Sequence, residues 1–336
     1  MVIMVILKKN GIKKNMIIIL ILLFSPVTTI RPSDIKCFGA IGDSITAGFS
    51  MESHSLMKDF FEYRGESFSI GAKKGFRTIP NIFSNFYPDL NLHNSCASYS
   101  TTLISRSFND YKNPVDCNVA ISGAQSYKLE KMWVAILREW TNYNCTNRYK
   151  LLTVMIGAND ICAYCINGYN TTIKNYLENM ENLLKNILRQ SGRIFVNIIS
   201  VFDVSLTMDW QTPSCKFVHW VINECPCILG RYKQNDASIK VKMLYKDINA
   251  GLYPLVENYG NRRDDVVMVV QPILEEFKIY NSSYLSSLDC FHPSKFADNV
   301  MSTILWNNMF LPKDKKLKNM KIIKPLHIPK WNESLS

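Results

Sequence analysis

Five short runs rich in β-branched residues, at 35–41, 117–121, 151–156, 193–200 and 266–271, are separated by stretches with helical periodicity at 125–140, 172–190, 238–259 and 293–310. Apolar runs of this length, without polar alternation, suit strands buried on both faces. Such strands alternating with helices form a parallel sheet joined by right-handed crossovers. The expected fold class is therefore α/β: three layers, with helices on both faces of a five-stranded parallel sheet. In sheets of this kind the ligand site lies beyond the carboxyl ends of the strands. Two segments fit the alternation poorly, 49–113 and 202–234, and read as insertions stapled by disulfides around the mouth of the site.

Lys8, Lys9, Lys13 and Lys14 precede an unbroken apolar run from Met16 to Phe24. A basic start followed by a short apolar core is the layout of a secretory signal, read over residues 1–29. The run is well short of the roughly 20 residues of a membrane-spanning helix, so a signal anchor is the lesser alternative. The ten cysteines, at 37, 96, 117, 145, 162, 165, 215, 225, 227 and 290, fit an oxidising compartment and allow up to five disulfides, whose pairing the sequence leaves open. Cys162 and Cys165 read as half-cystines rather than as a redox or zinc motif. Asn144, Asn170, Asn281 and Asn332 each head a glycosylation sequon.

The formal net charge is +11, but the four leader lysines and the basic tail at 312–336 carry most of it. The body at 30–311 is near neutral, with no basic stripe interleaved with aromatics, which excludes a nucleic-acid-binding face. The tail alternates Lys with Leu, Met and Ile. It reads either as a solvated end or as a segment attracted to an anionic membrane.

Four short blocks fall at the strand ends. Gly42-Asp43-Ser44-Ile45 follows the first run, Gly123 the second and Gly157-Ala158-Asn159-Asp160 the third, while Asp289-Cys290-Phe291-His292 precedes the last helix. A serine hydroxyl is a poor nucleophile at neutral pH and needs a base within hydrogen-bond reach. Among the five histidines, His54, His93, His219 and His327 have no carboxylate in a recognisable catalytic frame, whereas His292 has Asp289 three residues earlier. Asp289 is placed to orient the imidazole and stabilise its charged form. Pro293 suits the first position of the following helix, so His292 is expected at a helix N-terminus, whose dipole favours a neutral ring. The Ser44 and Gly123 backbone N–H groups and the Asn159 side-chain amide are candidate oxyanion donors. Each block alone is compatible with an ordinary turn or helix cap. Their common order and strand-end placement point to acyl transfer, with neither metal nor cofactor required.

These residues resemble the GDSL, or SGNH, hydrolase family, whose four blocks supply Ser, Gly, Asn and His, here Ser44, Gly123, Asn159 and His292, with Asp289 completing the triad. No Gly-X-Ser-X-Gly elbow of the other α/β hydrolases is present. Within the family the likeness is to the animal phospholipase B group. It runs over about 35–310 and includes Asn118 to Ala124, Cys225-Pro226-Cys227 and Asp289 to Ser294. Ile45 replaces the usual Leu, Ala158 replaces a common Gly, and 71–75 reads Gly-Ala-Lys-Lys-Gly near where relatives carry a Gly-Gly-Asp-like segment. The membrane-bound members carry tandem repeats and a C-terminal anchor, whereas one hydrolase domain, 30–311, is read here. The resemblance implies a flavodoxin-like αβα fold and a secreted esterase acting on phospholipid or lysophospholipid acyl esters. Acetylated carbohydrate or neutral lipid are alternative substrates, and a lipid-binding protein with lapsed catalysis is an alternative class.

Overall fold

Side chains of four parallel strands alternate between two buried apolar clusters, the pattern of a sheet covered on both faces. The strands are β1 (Ile35–Gly42), β2 (Tyr149–Met155), β3 (Ile194–Ile199) and β4 (Val266–Gln271), all parallel and in the order β1-β2-β3-β4. The structure, a computed structural model, describes residues 30–52, 60–103, 116–260, 262–319, 325–330 and 333–336. The segment at 1–29, expected as a secretory signal, lies outside the described residues.

One face packs on α2 (Leu129–Asn142), α3 (Tyr169–Gln190) and α5 (Ala237–Gly260). Helix α5 buries Ala237, Val241, Leu244, Ile248, Leu252 and Val256, steps of three and four that keep one stripe against the sheet. The other face packs on α1 (Ile79–Phe86) and α6 (Lys295–Asn308), where Phe83 and Trp306 meet edge to face. Helix α4 (Pro213–Ile222) lies in the second insertion, outside these layers. Among the described residues no helix is long and apolar enough to cross a membrane.

The expected fifth strand at 117–121 is corrected to an edge segment with a single bridge, Ala40 to Asn118. Three backbone hydrogen bonds still align it beside β1, from Ala40 N to Cys117 O, Val119 N to Ala40 O and Ile121 N to Gly42 O. Side chains satisfy groups that these bonds leave over. Asp116 accepts from Asn118 N, Asn118 Oδ1 accepts from Ala120 N, and the Arg64 guanidinium donates to Asn118 O at 2.7 Å and Ala120 O at 3.0 Å. Arg64 thus satisfies carbonyls that a further strand would have paired.

All ten cysteines are paired: 37–145, 96–117, 162–225, 165–227 and 215–290. Cys162 and Cys165 are half-cystines, tying the end of the third block to 225–227. The second insertion is held by three bridges and the first by the 96–117 bridge.

The tail departs from a solvated end. Leu317 and Leu326 pack on the second core cluster and Leu335 is buried in it, with Leu335 N donating to Ile30 O and Ser336 N to Met309 O. Trp306 Nε1 and Asn307 Nδ2 donate to His327 O and Pro325 O. Apolar residues between the lysines give these turns a surface to bury against α6, which outweighs the solvation of an extended chain.

Candidate active site

The turn after β1 is shaped by its smallest residue. A Cβ on Gly42 would clash with Thr46 Oγ1 and lie 2.5 Å from Met155 O, so only glycine lets β1 pass this close to β2. Asp43 then caps a one-turn helix, Ser44–Ala47, by accepting from Ile45 N at 3.0 Å, and Gly48 ends it at φ 69°. Ser44, only 8% exposed, is the first residue of that helix.

Asp289 and His292 come from the loop before α6. Asp289 Oδ1 accepts from Phe291 N and His292 N, which folds the loop so that its other oxygen, Oδ2, lies 2.7 Å from His292 Nδ1. His292 Nε2 lies 2.7 Å from Ser44 Oγ across 248 positions of sequence. With Asp289 ionised and the ring neutral, Nδ1–H donates to the carboxylate and Nε2 accepts from the serine hydroxyl. Phe49 and Phe291 cover the ring edge to face at 4.9 and 5.2 Å. The Cys215–Cys290 bridge and the hydrogen bond from Gln211 Nε2 to Cys290 O anchor the loop between Asp289 and His292.

Pro293 does not open the helix: Ser294 caps α6 and Lys295 is its first residue. His292 is therefore outside the helix N-terminus, and the expected neutral ring is corrected. Burial alone lowers its pKa, but attraction to Asp289 and Glu224 and the hydrogen bond to Asp289 outweigh it and raise the pKa to about 9. Burial alone raises the Asp289 carboxyl, yet the His292 charge and its hydrogen bonds hold it below the ordinary value.

Asn118 Nδ2 donates to Thr46 O, locking the edge segment to the serine turn. Asn159 Nδ2 donates to Ala124 O at 3.1 Å, beside Gly123, which stands at φ 76° with its backbone solvent-exposed. Asp160 accepts from both N and Oγ of Ser126, fixing the third block to the chain just past Gly123. Asn159 is thus joined to Ala124, the residue after Gly123, and through Asn118 the segment carrying Gly123 is joined to the Ser44 turn. One N–H of the Asn159 amide is engaged by Ala124 O, leaving the second as a donor.

Glu224 escaped the sequence reading, and it gives His219, read there without a carboxylate, an acidic neighbour. Glu224 Oε1 lies 3.2 Å from His292 Nδ1, so that nitrogen faces two carboxylates. Glu224 Oε2 lies 2.8 Å from Nδ1 of buried His219, close enough for an ion pair but without hydrogen-bond alignment. Burial, then repulsion from Asp289, raises the Glu224 pKa. The local signal was only Asn223-Glu224-Cys225, and the 162–225 and 165–227 bridges are what bring it to the histidine. Glu224, Asp289 and His292 offer ligand atoms within 4.8 Å of one another, a spacing that suits a cation, although Nδ1 there is already bonded to Asp289. His93 stacks on Tyr99 and His327 pairs with Glu333, and His54 lies outside the described residues.

An apolar cavity lined by Ile45, Phe202, Leu206, Leu274, Phe291 and Met301 adjoins the chain neighbours of Ser44 and His292. Asn144, Asn170 and Asn281 are exposed, and Asn332 lies outside the described residues.

A three-layer α/β fold with a buried Ser–His–Asp chain at its strand ends is the architecture of a serine hydrolase. The GDSL-like lipase/acylhydrolase family profile matches residues 38–305, and the chain belongs to that family, which makes it a carboxylic ester hydrolase by class. The chain is 28% identical to membrane-associated phospholipase B1 of Mus musculus over 90% of its length and to that of Homo sapiens over 86%. It spans about a fifth of the length of these relatives, 21% and 20%. The crystal structure of a GDSL-like lipase from Parabacteroides merdae superposes with a TM-score of 0.45 at 16% identity, covering 82% of this chain and 95% of the other.

Proposed function

We propose that the chain is a secreted esterase that cleaves acyl esters of phospholipids or lysophospholipids through an acyl-enzyme. The observation that carries the reading is the hydrogen-bonded chain Ser44–His292–Asp289, with 2.7 Å at each link and all three residues buried. Ser44 Oγ attacks the ester carbonyl carbon as its proton passes to His292 Nε2. The Ser44 and Gly123 N–H groups and the second Asn159 N–H receive the oxyanion. Collapse breaks the bond to the alkoxide, which takes the proton from His292, and the acyl group remains on Ser44. His292 then removes a proton from water, whose oxygen attacks the acyl carbon, and Ser44 leaves reprotonated. Asp289 holds the ring and the positive charge it carries in both steps.

The choice of a phospholipid acyl ester over an acetylated sugar is supported by the likeness to membrane-associated phospholipase B1. Five disulfides and three exposed sequons suit an oxidising, extracellular setting. A fluorophosphonate probe should label the folded protein and fail to label Ser44→Ala. Incubation with phospholipids, lysophospholipids and acetyl esters, with products identified by mass, should release fatty acid. Absence of labelling would make the chain a lipid-binding relative, and release of acetate alone would replace the substrate.

A further inference from the structure

Helix α4 is built inside out. Its inward face carries Cys215 and His219, both buried, whereas Phe217, Trp220, Val221 and Ile222 stand 65%, 62%, 47% and 42% exposed. Phe217 and Trp220 stack on each other at 6.5 Å, one turn apart, so the exposed face is a continuous apolar ridge. In a chain whose sheet is covered on both sides, such a ridge marks an interaction surface.

Basic residues accompany it. Lys216 is exposed on the helix, Lys233 is exposed nearby in sequence, and Arg231 stands over the Trp220 ring at 5.7 Å while donating to Trp220 O and Val221 O. No carboxylate occurs in α4 or from 225 to 235, and Glu224 is turned inward to His219 and His292. Exposed Trp and Phe bordered by Lys and Arg is the composition of a helix that lies in a lipid–water interface.

The ridge is also wired to the site. Cys215 is bonded to Cys290, the residue after Asp289, and the chain leaving the helix delivers Glu224 to His292. We propose that α4 is an interfacial docking helix, inserting Phe217, Trp220, Val221 and Ile222 into the surface of an anionic phospholipid bilayer so that the mouth of the site faces the lipid. The choice of a lipid over a protein as partner rests on the esterase reading above. Binding itself needs no turnover, so it is measured on Ser44→Ala protein, and failure to bind is distinguishable from failure to hydrolyse.

The probe is a sedimentable vesicle of phosphatidylcholine and phosphatidylserine in equal parts. Ser44→Ala protein should sediment with it, less so as salt is raised. Adding Phe217→Ser and Trp220→Ser should weaken partitioning at least ~10-fold, with the circular dichroism spectrum and melting temperature retained. Ile239→Ser with Met243→Ser, two other exposed apolar residues, should leave binding intact. Brominated lipid should quench the tryptophan fluorescence of Ser44→Ala protein, and Trp220→Phe should keep binding but lose that quenching. If the double serine variant does not fold, the Trp220→Phe quenching result and weaker binding of Lys216→Glu with Lys233→Glu decide the matter. Absence of vesicle binding, undiminished binding in the ridge variants, equal loss in the Ile239/Met243 control, or self-association through the ridge would overturn the proposal.

Discussion

At the scale of single residues, His292 is the group on which the chemistry depends, and its surroundings set the pH at which it works. The ring must be neutral to accept the Ser44 proton, and Asp289, Glu224 and, more weakly, Asp43 raise its pKa to about 9. The neutral fraction therefore grows with pH up to that value, so kcat/KM for a soluble ester should climb through the neutral range and level off near pH 9. Glu224→Gln removes one of these attractions and should move this rising limb to lower pH, whereas Glu224→Asp should restore part of it. An unmoved limb in Glu224→Gln would limit Glu224 to a packing role. Gly42 has a different duty. Gly42→Ala would press a methyl group on Met155 O and should destabilise the protein by ~2 kcal/mol in chemical denaturation.

At the scale of elements, the blocks come together through side chains that bridge chain segments. Asn118 ties the edge segment to Ser44, Asp160 ties the third block to Ser126, and Cys215–Cys290 ties α4 to the histidine loop. The last bridge spans 75 residues, so replacing both cysteines with alanine should lower stability by about 4 kcal/mol through the freed unfolded chain. It should also reduce kcat more than KM, because the loop carrying Asp289 and His292 loses its anchor. Equal kcat in the bridged and unbridged proteins would make the disulfide a staple alone. The edge segment shows how far pattern reading reaches. Its β-branched run correctly places a chain beside β1, where it makes three backbone hydrogen bonds but a single bridge, and its outer carbonyls are taken by Arg64, 54 positions from Asn118.

At the scale of the whole molecule, two features outside the sheet complete the body. The insertions close over the strand ends, bringing Phe49 from one and Glu224 from the other to His292. The tail lies on α6, where Lys316 Nζ donates to Asn308 O and to Ser336 O and burial lowers its pKa to about 8. Deleting 312–336 should therefore destabilise the protein by at least ~3 kcal/mol, from lost Leu packing and unpaired α6 side chains. Unchanged denaturation of the truncated chain would show that the tail is dispensable to the fold. Of the other described tail lysines, Lys313 pairs with Glu257, Lys315 with Asp314 and Lys318 with Glu275 and Glu276, and surface pairs of this kind add little to stability.

What the sequence determined by itself is whatever is local or repeats along the chain. The buried runs at 151–156 and 266–271, the helical stripes between them, the Gly-Asp-Ser turn and the three-residue spacing of Asp289 and His292 all express short-range sterics and hydrogen bonding. The partner of each cysteine, the second carboxylate at His292, the docking of the tail and the outward face of α4 came only with the tertiary structure. Each depends on which segments, tens to hundreds of residues apart, close on one another, and on the competition for buried surface at the strand ends. Asp289 was legible because it is three residues from His292; Glu224, 68 residues away, reaches the same nitrogen only because two disulfides fold its segment there.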